Sequence, residues 1–310
     1  MSLRPEEFKH SMRNIEFMTQ DFKEKVFKSV AKKSVPLFLR GQDTINITPS
    51  VSGHHEVDVE EVLCWAARTG HNDFLIDIGA NIGLISCLCG NHFKQVFCYE
   101  PNPLAFKILE VNTKIALSPA CTVHLFNFAI GREDSSADLV IPKYNWGGAF
   151  IVSGNSYDEK TLLKKDGYAT YDPDNYLHET VTVCKAADSL GPVFESLAQR
   201  DQKRGVIKID AEGYEMQILQ AIACVLPVDF EVLVVFENHL QRQLKAEVLG
   251  MFAVISRLYE IKYRKVRGAT IVRLLKSLCG ARRSVVLADT GDVLAKGNFA
   301  LLVGGMRTPA

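Results

Sequence analysis

The segment Phe74–Gly83, Phe-Leu-Ile-Asp-Ile-Gly-Ala-Asn-Ile-Gly, sets the architecture that we expect for the chain around it. Its first three residues form an apolar run typical of a strand buried on both faces. Asp77 ends the run, and Gly79 and Gly83 bracket a tight turn. The small and apolar residues 84–91 then continue as a helix. This order brings free backbone N–H groups and the positive end of a helix dipole to one point. The segment therefore predicts a cradle for a cofactor.

The polar residues of this turn bear on which cofactor the cradle holds. A dinucleotide fingerprint reads G-x-G-x-x-G and places a pyrophosphate on the helix N-terminus. Here the string is Asp77-x-Gly79-x-Asn81-x-Gly83, with a carboxylate ahead of the turn and an asparagine in place of a glycine. A carboxylate repels a pyrophosphate and attracts a cation. The sequence therefore favours S-adenosylmethionine, which carries an ammonium and a sulfonium group.

A second acid follows the next predicted strand. That strand, Gln95–Tyr99, ends at Glu100, which lies 17 residues past Gly83. A carboxylate there can accept charge-assisted hydrogen bonds from both hydroxyls of a ribose. Both cofactor classes use such an acid, so Glu100 alone does not separate them. The other reading, a turn kept only for packing, is disfavoured because acids stand at two strand ends.

The composition is that of an ordinary globular protein, with 310 residues of which 47% are apolar and 23% charged. This length suffices for one large α/β domain with an appendage. A net charge of zero disfavours a bulk nucleic-acid binder. No window approaches the roughly 20 uninterrupted apolar residues of a membrane span, and the first ten residues lack the apolar core of a secretory signal.

The eight cysteines lie mostly in apolar runs, and only Cys87 and Cys89 are closely spaced. No histidine lies at zinc-site spacing from that pair. The cysteines are therefore expected to be buried, reduced thiols of a cytoplasmic protein.

The chain divides into an arm and a main domain. Residues 1–52 are predicted to form an N-terminal helical arm, because apolar residues recur at helical spacing between charges. Such an arm packs over the cofactor mouth or makes a dimer contact, and the sequence leaves both open. Residues 53–310 form the predicted main domain, in which the polar residues 154–179 are an inserted loop. The adjacent His54 and His55 are expected in a loop near the mouth.

From Phe74 onward strands and helices alternate, which predicts a mostly parallel, doubly wound sheet with ligands at the carboxyl ends of its strands. Short extra strands are predicted at 137–141 and 149–153, and another at 180–186. Polar side chains follow each of the five central strands: Asp77, Glu100, Asn127, Asp210 with Glu212, and Glu237-Asn238-His239. Because they would share one rim, we expect a functional site there.

Three blocks of the sequence, taken in order, resemble the signature of a known family. They are Asp77–Gly83, Glu100-Pro-Asn-Pro103 and Lys208-Ile-Asp-Ala-Glu-Gly-Tyr-Glu215. Over residues 53–236 the chain is similar to the FkbM-type family of S-adenosylmethionine-dependent methyltransferases. The resemblance implies a Rossmann-like class I methyltransferase fold, an α/β fold whose seven-stranded, mostly parallel sheet ends in an antiparallel strand. It also implies O-methylation of a hydroxyl on a sugar, glycolipid or secondary metabolite.

The resemblance further implies roles for individual residues. It places the methionine part of the cofactor at Asp77, Gly79, Asn81 and Gly83, and the ribose at Glu100. The remaining implied contacts are Asn102 beside the cofactor, Asp210 at its reacting end, and Asn127, Phe128 and Ala129 at the adenine.

Methyl transfer to oxygen needs aligned reactants and a base for the acceptor's proton. Alignment contributes on the order of 7–11 kcal/mol where the geometry is ideal, and a positioned base adds roughly 10²–10⁴-fold. We predict His239 as the base, because it ends the fifth strand and histidine ordinarily titrates near neutral pH. The other reading is a histidine bonded to a neighbouring carbonyl. Asp210 is the second candidate, and it could instead chiefly hold the cofactor.

Further residues have weaker functional readings. Acceptor contacts are predicted at Glu212, Asn238, Tyr144 and Trp146, where the two aromatics either stack on a sugar ring or pack within their loop. Magnesium held by Asp210, Glu212 and Asn238 is an alternative, although we expect no metal. Lys208 is read as a snorkelling strand residue. The basic stretch 262–283 is read as a solvated face or as an attraction for a phosphate-bearing substrate.

The leading hypothesis is an S-adenosylmethionine-dependent O-methyltransferase whose acceptor is a small-molecule, glycan or lipid-linked hydroxyl. An NAD-dependent oxidoreductase is the second, and a catalytically inactive, methyltransferase-like module that binds a partner is the third. A homodimer is considered, whereas no nucleic-acid partner and no transmembrane segment are expected.

Overall fold

The computed structural model describes residues 35–155, 163, 170, 172–238, 243–254, 256–263 and 285–305. The strands within these ranges are β1 (Phe74–Ile78), β2 (Gln95–Tyr99), β3 (Thr122–Phe126), β4 (Ala129–Gly131), β5 (Ser135–Pro142), β6 (Phe150–Ile151), β7 (Tyr176–Lys185), β8 (Arg204–Ile209), β9 (Glu231–Asn238), β10 (Ser256–Tyr263), β11 (Val285–Asp289) and β12 (Gly297–Val303). The α-helices are α1 (Ile47–Ser52), α2 (Val57–Arg68), α3 (Leu84–Cys89), α4 (Pro103–Ala116), α5 (Ala186–Gln199), α6 (Glu215–Val225) and α7 (Lys245–Gly250). Among the residues described, no helix is long and apolar enough to cross a bilayer.

Eight of the described strands form one sheet in the order β11-β10-β12-β9-β8-β1-β2-β3. The five strands from β9 to β3 run parallel, and β12 enters antiparallel between β9 and β10. The predicted doubly wound, Rossmann-like sheet with an antiparallel last strand is confirmed. Strand β11 pairs with β10 and adds an eighth strand that was not predicted. Its apolar run, residues 285–288, is too short for periodicity to separate a strand from a helix.

Strand β1 shows why the middle of this sheet is continuously apolar in sequence. All five of its residues are buried, and successive side chains point to opposite faces. Phe74, Ile76 and Ile78 pack in one cluster with α5 and α6, whereas Leu75 packs in a second cluster with α2, α3 and α4. Burial of a side chain of this size stabilises the fold by about 1.5–3 kcal/mol. Helices therefore cover both faces of the sheet.

A smaller sheet has the order β4-β7-β5-β6. Its strands β5, β6 and β7 lie at the extra strands predicted at 137–141, 149–153 and 180–186. That they assemble into a sheet of their own was not predicted, because pairing between β5 and β7 joins segments about 40 residues apart. Strand β7 begins at Tyr176, inside the predicted inserted loop, and most of that segment lies outside the described residues.

Residues 35–46 run from α4 towards the loop that follows β5. Phe38 donates its backbone N–H to Asn112 Oδ1 at 2.6 Å and accepts from Asn112 Nδ2 at 3.1 Å. The side chains of this segment that pack against the turn after β1 and the start of α3 and α4 are Leu37, Leu39 and Ile45. The helix predicted in the arm falls on residues 1–34, and most of the basic stretch on 264–283. Both lie outside the described residues, and the domain boundary at residue 52 stays a prediction.

Candidate functional site

A cavity of about 370 Å³ opens between the carboxyl ends of the parallel strands and the smaller sheet. One part of its lining follows β1, β2 and β8, and we call it the motif wall (residues 79–81, Glu100, Lys208 and Asp210). Another part, the loop wall, is uncharged (Ile45, Trp146, Gly147 and residues 149–151). Ligands of wound sheets bind at this edge. The cavity is therefore the candidate active site.

The turn after β1 is held in place by its own backbone. Gly79 has φ +78° and donates its N–H to the Tyr99 carbonyl at 2.9 Å. A Cβ on Gly79 would lie 1.7 Å from the carbonyl oxygen of Asp210, so no other residue fits against the end of β8. Asn81 has φ +50°, a conformation that asparagine tolerates better than most residues. The turn thus keeps its shape without a ligand.

Gly83 serves packing and does not line the cavity. It has φ +85° at the start of α3, and a Cβ there would lie 2.7 Å from Leu109 Cδ1 on α4. The absence of a side chain at Gly83 therefore lets α3 pack closely against α4. Gly83 does not line the cavity, so the contact with the methionine part that the family resemblance implies for it stays a prediction.

Glu100 lies at the end of β2 on the motif wall, with 6% of its surface exposed. Its two carboxylate oxygens accept the backbone N–H groups of Asn81 and Asn102, each at 2.7 Å. Burial raises the pKa of Glu100 to about 7, although these hydrogen bonds and Lys208 oppose the shift. Each oxygen has a second lone pair. The carboxylate therefore keeps acceptor capacity for the hydroxyls of a bound nucleoside.

Lys208 lies between two acids, and its reading as a snorkelling residue is wrong. Its Nζ is 3.3 Å from Asp77 Oδ1, 3.2 Å from Asp210 Oδ2 and 3.3 Å from the Gly79 carbonyl. Burial disfavours the charge of Lys208, but Asp77 and Asp210 outweigh burial and raise its pKa. A lysine inside a central, apolar strand needs a buried partner, and this signal was available in the sequence.

Asp77 lies behind Lys208 and not on the cavity wall. It is fully buried, pairs with Lys208 across β1 and β8, and accepts a hydrogen bond from Ser86 Oγ at 2.6 Å. The structure therefore corrects the direct contact with a cofactor that the motif suggests. Asp77 fixes the position of the lysine, and Lys208 in turn holds the Gly79 carbonyl and Asp210.

His55 is a second residue of the cavity whose importance the sequence did not reveal. Its ring lines the cavity, and its backbone N–H is held by Glu60 Oε1 at 2.5 Å. Burial, followed by the charge of Lys208, lowers the pKa of His55 to about 4, with Asp210 and Asp77 opposing. The imidazole is therefore neutral at physiological pH. The expectation that this loop lies near the mouth agrees with its position.

The residues implied at the adenine and beside the cofactor divide into two groups. Phe128 and Ala129 line the cavity. Asn127 is exposed and bonds the carbonyls of Glu100 and Pro101 at 2.8 and 3.2 Å, so it joins the ends of β2 and β3. Asn102 is fully buried and caps α4 through its Oδ1. Asn127 and Asn102 thus support the site from outside its lining.

The predicted acceptor residues are also divided. Glu212 and Trp146 line the cavity. Asn238 is 2% exposed, bonds a backbone carbonyl at 2.9 Å and is not part of the lining. Tyr144 is 52% exposed and also lies outside the lining. The predicted base, His239, falls outside the described residues.

A small recess lies on the other side of Lys208 and Asp210, and its lining includes Glu56 and Glu237. Burial, followed by Asp210, raises the pKa of Glu56 to about 8. In the described ranges, no group of three or more histidine, cysteine or acidic side chains is placed to hold a metal ion.

Sequence comparison identifies the family. A family model described as the methyltransferase FkbM domain matches residues 77–261, more than half of the chain. The chain belongs to the FkbM methyltransferase family. The resemblance seen in the three sequence blocks is thereby confirmed. The match starts at Asp77 and ends in β10, so residues 35–46 and α2 lie outside the FkbM domain.

One curated relative is the hexuronic acid methyltransferase AglP of Haloferax volcanii, 26% identical over 167 residues. The alignment covers 54% of this chain and 56% of AglP, so the chain spans little more than half of that relative.

Two solved structures with a distant likeness are a precorrin 8w decarboxylase of Methanobacterium thermoautotrophicum and an S-adenosylmethionine-dependent methyltransferase of Agrobacterium tumefaciens. The first has 14% identity and a TM-score of 0.35, and covers 86% of this chain and 100% of the other. The second has 10% identity and a TM-score of 0.38, and covers 80% and 62%. Both likenesses are too weak to bear on the chemistry of the FkbM site.

Proposed function

We propose that this FkbM-family protein is an S-adenosylmethionine-dependent O-methyltransferase that acts on a hydroxyl of a carbohydrate-containing or secondary metabolite. The observation that carries the proposal is the motif wall, where the turn at Gly79 and Asn81 faces one cavity together with Glu100, the predicted ribose-binding acid, and Asp210. In addition, the buried side-chain amide of Asn81 has no hydrogen-bond partner among the described residues. Buried polar groups are normally paired, so this site fits a ligand with polar ends.

The charges of the site favour S-adenosylmethionine over a dinucleotide. Of the residues that the structure describes, four acidic and two basic ones line the cavity (Glu100, Glu133, Asp210 and Glu212; Arg132 and Lys208). The excess of carboxylates would repel a pyrophosphate but attract an ammonium. In this proposal Glu100 accepts the ribose hydroxyls, Phe128 and Ala129 flank the adenine, and Asp210 faces the charged end. The cofactor, when bound, supplies a methyl group carried on a cationic sulfur.

The residues of the chain would align the acceptor hydroxyl and take its proton. His239 stays our prediction for the base. Asp210 is held by Lys208 at 3.2 Å, which suits positioning more than proton transfer. His55 also lines the cavity as a neutral imidazole, but its pKa of about 4 makes it a weaker base than an ordinary histidine. Turnover of His55→Gln, of His239→Gln and of the double variant separates the contributions of the two histidines.

The acceptor class is proposed from two observations. The name of the relative AglP indicates that a family member acts on a hexuronic acid. The lining also provides hydrogen-bonding groups and aromatic side chains such as Phe150 and Tyr214, which suit a hydroxyl-rich ring. A sugar hydroxyl is therefore the acceptor that we propose. The cytoplasmic location and a possible homodimer stay predictions.

Calorimetric titration tests the cofactor proposal directly. We expect saturable heat with S-adenosylhomocysteine and none with NADH, and the reverse result would favour an oxidoreductase. Transfer of a labelled methyl group is then screened against glucuronic acid, galacturonic acid, their methyl glycosides and neutral hexoses. Binding of S-adenosylhomocysteine without transfer to any acceptor would point to the partner-binding module.

A further inference from the structure

Three buried polar groups on the cavity lining lack a hydrogen-bond partner within the described part of the chain. They are the side-chain amide of Asn81, the indole Nε1–H of Trp146 and the hydroxyl of Tyr99. Such groups cost free energy when they stay unpaired. Tyr99 lies on β2 and packs against Phe126 and Phe128. Asn81 instead lies beside Gly147, the residue that follows Trp146.

Asn81 and Trp146 come close to each other through Gly147. A Cβ added to Gly147 would lie 3.1 Å from Asn81 Nδ2, so this backbone passes directly beside the amide. Trp146 also packs against the cluster formed by Ile82 and Leu84, the residues that follow Asn81. The indole N–H and the amide thus border the same end of the cavity, beside the turn that begins at Gly79.

The charge pattern indicates which ligand group these donors suit. The loop wall has no acidic residue, whereas Asp210 and Glu212 lie elsewhere in the lining. The guanidinium of Arg40 lies 4.2 Å from the centre of the Trp146 ring and is paired with the buried carboxylate of Asp43 at 3.1 Å. The two N–H donors of the lining suit a carboxylate, and the ammonium of an amino acid suits the acids.

We propose that the indole N–H of Trp146 and the side-chain amide of Asn81 bind the amino-acid carboxylate of S-adenosylmethionine. This inference rests on the proposed function and specifies one end of that site. It replaces sugar stacking as the main role of Trp146, because Arg40 already covers one face of the ring. Trp146 and Asn81 would hold the carboxylate, and the acids of the lining, Asp210 among them, would attract the ammonium.

Residues 40–44, which we call the strap, hold Trp146 in this position. Arg40 Nη2 donates to the Lys143 carbonyl at 2.6 Å, and Thr44 donates its backbone N–H to the Tyr144 carbonyl at 3.1 Å. Asp43 Oδ2 accepts from the Trp146 backbone N–H at 3.2 Å and from Arg40 Nη1 at 3.1 Å. Arg40 is therefore a positioning residue. The cofactor site thus includes residues outside the matched FkbM domain.

Trp146→Phe removes the N–H and keeps an aromatic ring. We expect its affinity for S-adenosylhomocysteine, measured by calorimetry, to fall about tenfold, as for a lost hydrogen bond to a charged group. Trp65→Phe is the matched control, because the only other tryptophan lies on α2 outside the cavity lining. That control is expected to bind as the wild type does.

A ligand without the amino-acid part shows which end Trp146 serves. 5′-Methylthioadenosine lacks the carboxylate, so its affinity is expected to be equal in the wild type and in Trp146→Phe. Asn81→Asp, which places a negative charge at the proposed carboxylate site, is expected to weaken S-adenosylhomocysteine at least tenfold and methylthioadenosine little. Equal losses for both ligands, or no loss in Trp146→Phe, would overturn the inference.

The strap is tested through the fluorescence of Trp146 in the Trp65→Phe background, where it is the sole tryptophan. Arg40→Gln is expected to change its emission and to weaken S-adenosylhomocysteine about threefold, and Arg40→Lys is expected to restore most of the affinity. Unchanged emission and affinity in Arg40→Gln would contradict the positioning role. A wild type that binds no S-adenosylhomocysteine would refute the proposed function itself, whereas binding that ignores Trp146 refutes only this inference.

Discussion

The motif wall and the loop wall border the same cavity but are built in different ways. The motif wall comes from three short blocks at the ends of adjacent strands, and it carries Glu100, Lys208 and Asp210. The loop wall is uncharged and is supported from behind by the strap, where Asp43 bonds Trp146 across 103 residues of the chain. The first wall thus depends on local backbone geometry and buried charge, whereas the second depends on long-range contacts. One part of the lining of a cavity can therefore be recognised from sequence motifs, whereas another part can be recognised only from the tertiary structure.

The largest effect is expected from the buried charges of the motif wall, compared with the ion pair of the strap that supports the uncharged loop wall. Lys208→Met leaves Asp77 buried without its partner, so the free energy of unfolding is expected to fall by about 3–5 kcal/mol. Arg40→Met breaks the more accessible pair with Asp43, and about 1 kcal/mol or less is expected. Urea unfolding of both variants measures the contrast. Equal losses of unfolding free energy would mean that the fold does not depend more on the buried charges of the motif wall than on the ion pair of the strap.

The glycines of the two walls should differ next. Gly79→Ala forces a Cβ to 1.7 Å from the Asp210 backbone oxygen at φ +78°, which is expected to cost about 3 kcal/mol and to abolish S-adenosylhomocysteine binding. Gly147→Ala brings a Cβ to 2.5 Å from the end of the flexible Ile45 side chain and to 3.1 Å from Asn81 Nδ2, and meets no backbone atom this closely. A cost of about 1 kcal/mol is expected there. Urea unfolding measures the stability of both variants, and calorimetry measures their binding of S-adenosylhomocysteine. A Gly79→Ala variant with wild-type stability and affinity would contradict the prediction.

Asn112 connects the segment that precedes the strap with the turn that follows the motif wall. Its loss should lower the stability of the fold by an intermediate amount. It is fully buried and bonds Phe38 as well as the Ile82 carbonyl, the latter at 2.7 Å. Asn112→Ala is expected to lower the free energy of unfolding by about 2 kcal/mol. Asn91→Ala, an exposed asparagine with two backbone hydrogen bonds, is the control and should cost less. If Asn91→Ala lowers the free energy of unfolding as much as Asn112→Ala does, the contacts of Asn112 do not stabilise the fold more than those of a surface asparagine.

The smallest effect is a pH dependence that belongs to the motif wall alone. Because burial raises the pKa of Glu100 to about 7, its carboxyl is protonated below that pH and must lose a proton to accept both ribose hydroxyls. Affinity for S-adenosylhomocysteine is therefore expected to rise between pH 5.5 and 7.5, by up to about tenfold per unit below the pKa. Glu100→Gln should abolish the rise, whereas Glu56→Gln should retain it. A rise that persists in Glu100→Gln would assign it to another group.

Much of the fold could be predicted because its signals are local in sequence. The apolar run at Phe74, the positive-φ glycine at Gly79 and the acid at Glu100 all follow from the chemistry of a few neighbouring residues. Lys208 was misread because its partners lie on β1 and at the end of its own strand, so only the cross-strand register reveals them. His55 was placed near the mouth, but whether its ring enters the cavity depends on the backbone clamp by Glu60.

The order of the blocks by itself determined a wound sheet with a nucleoside-type cradle at its carboxyl edge, because alternating strands and helices leave few other arrangements. The tertiary structure alone decided that Asp77 lies behind Lys208, that Asn102 caps a helix and that Trp146 lines the cavity. The physical reason is distance along the chain. A turn is specified by the dihedral angles of adjacent residues, whereas a cavity wall is specified by which remote side chains are buried together.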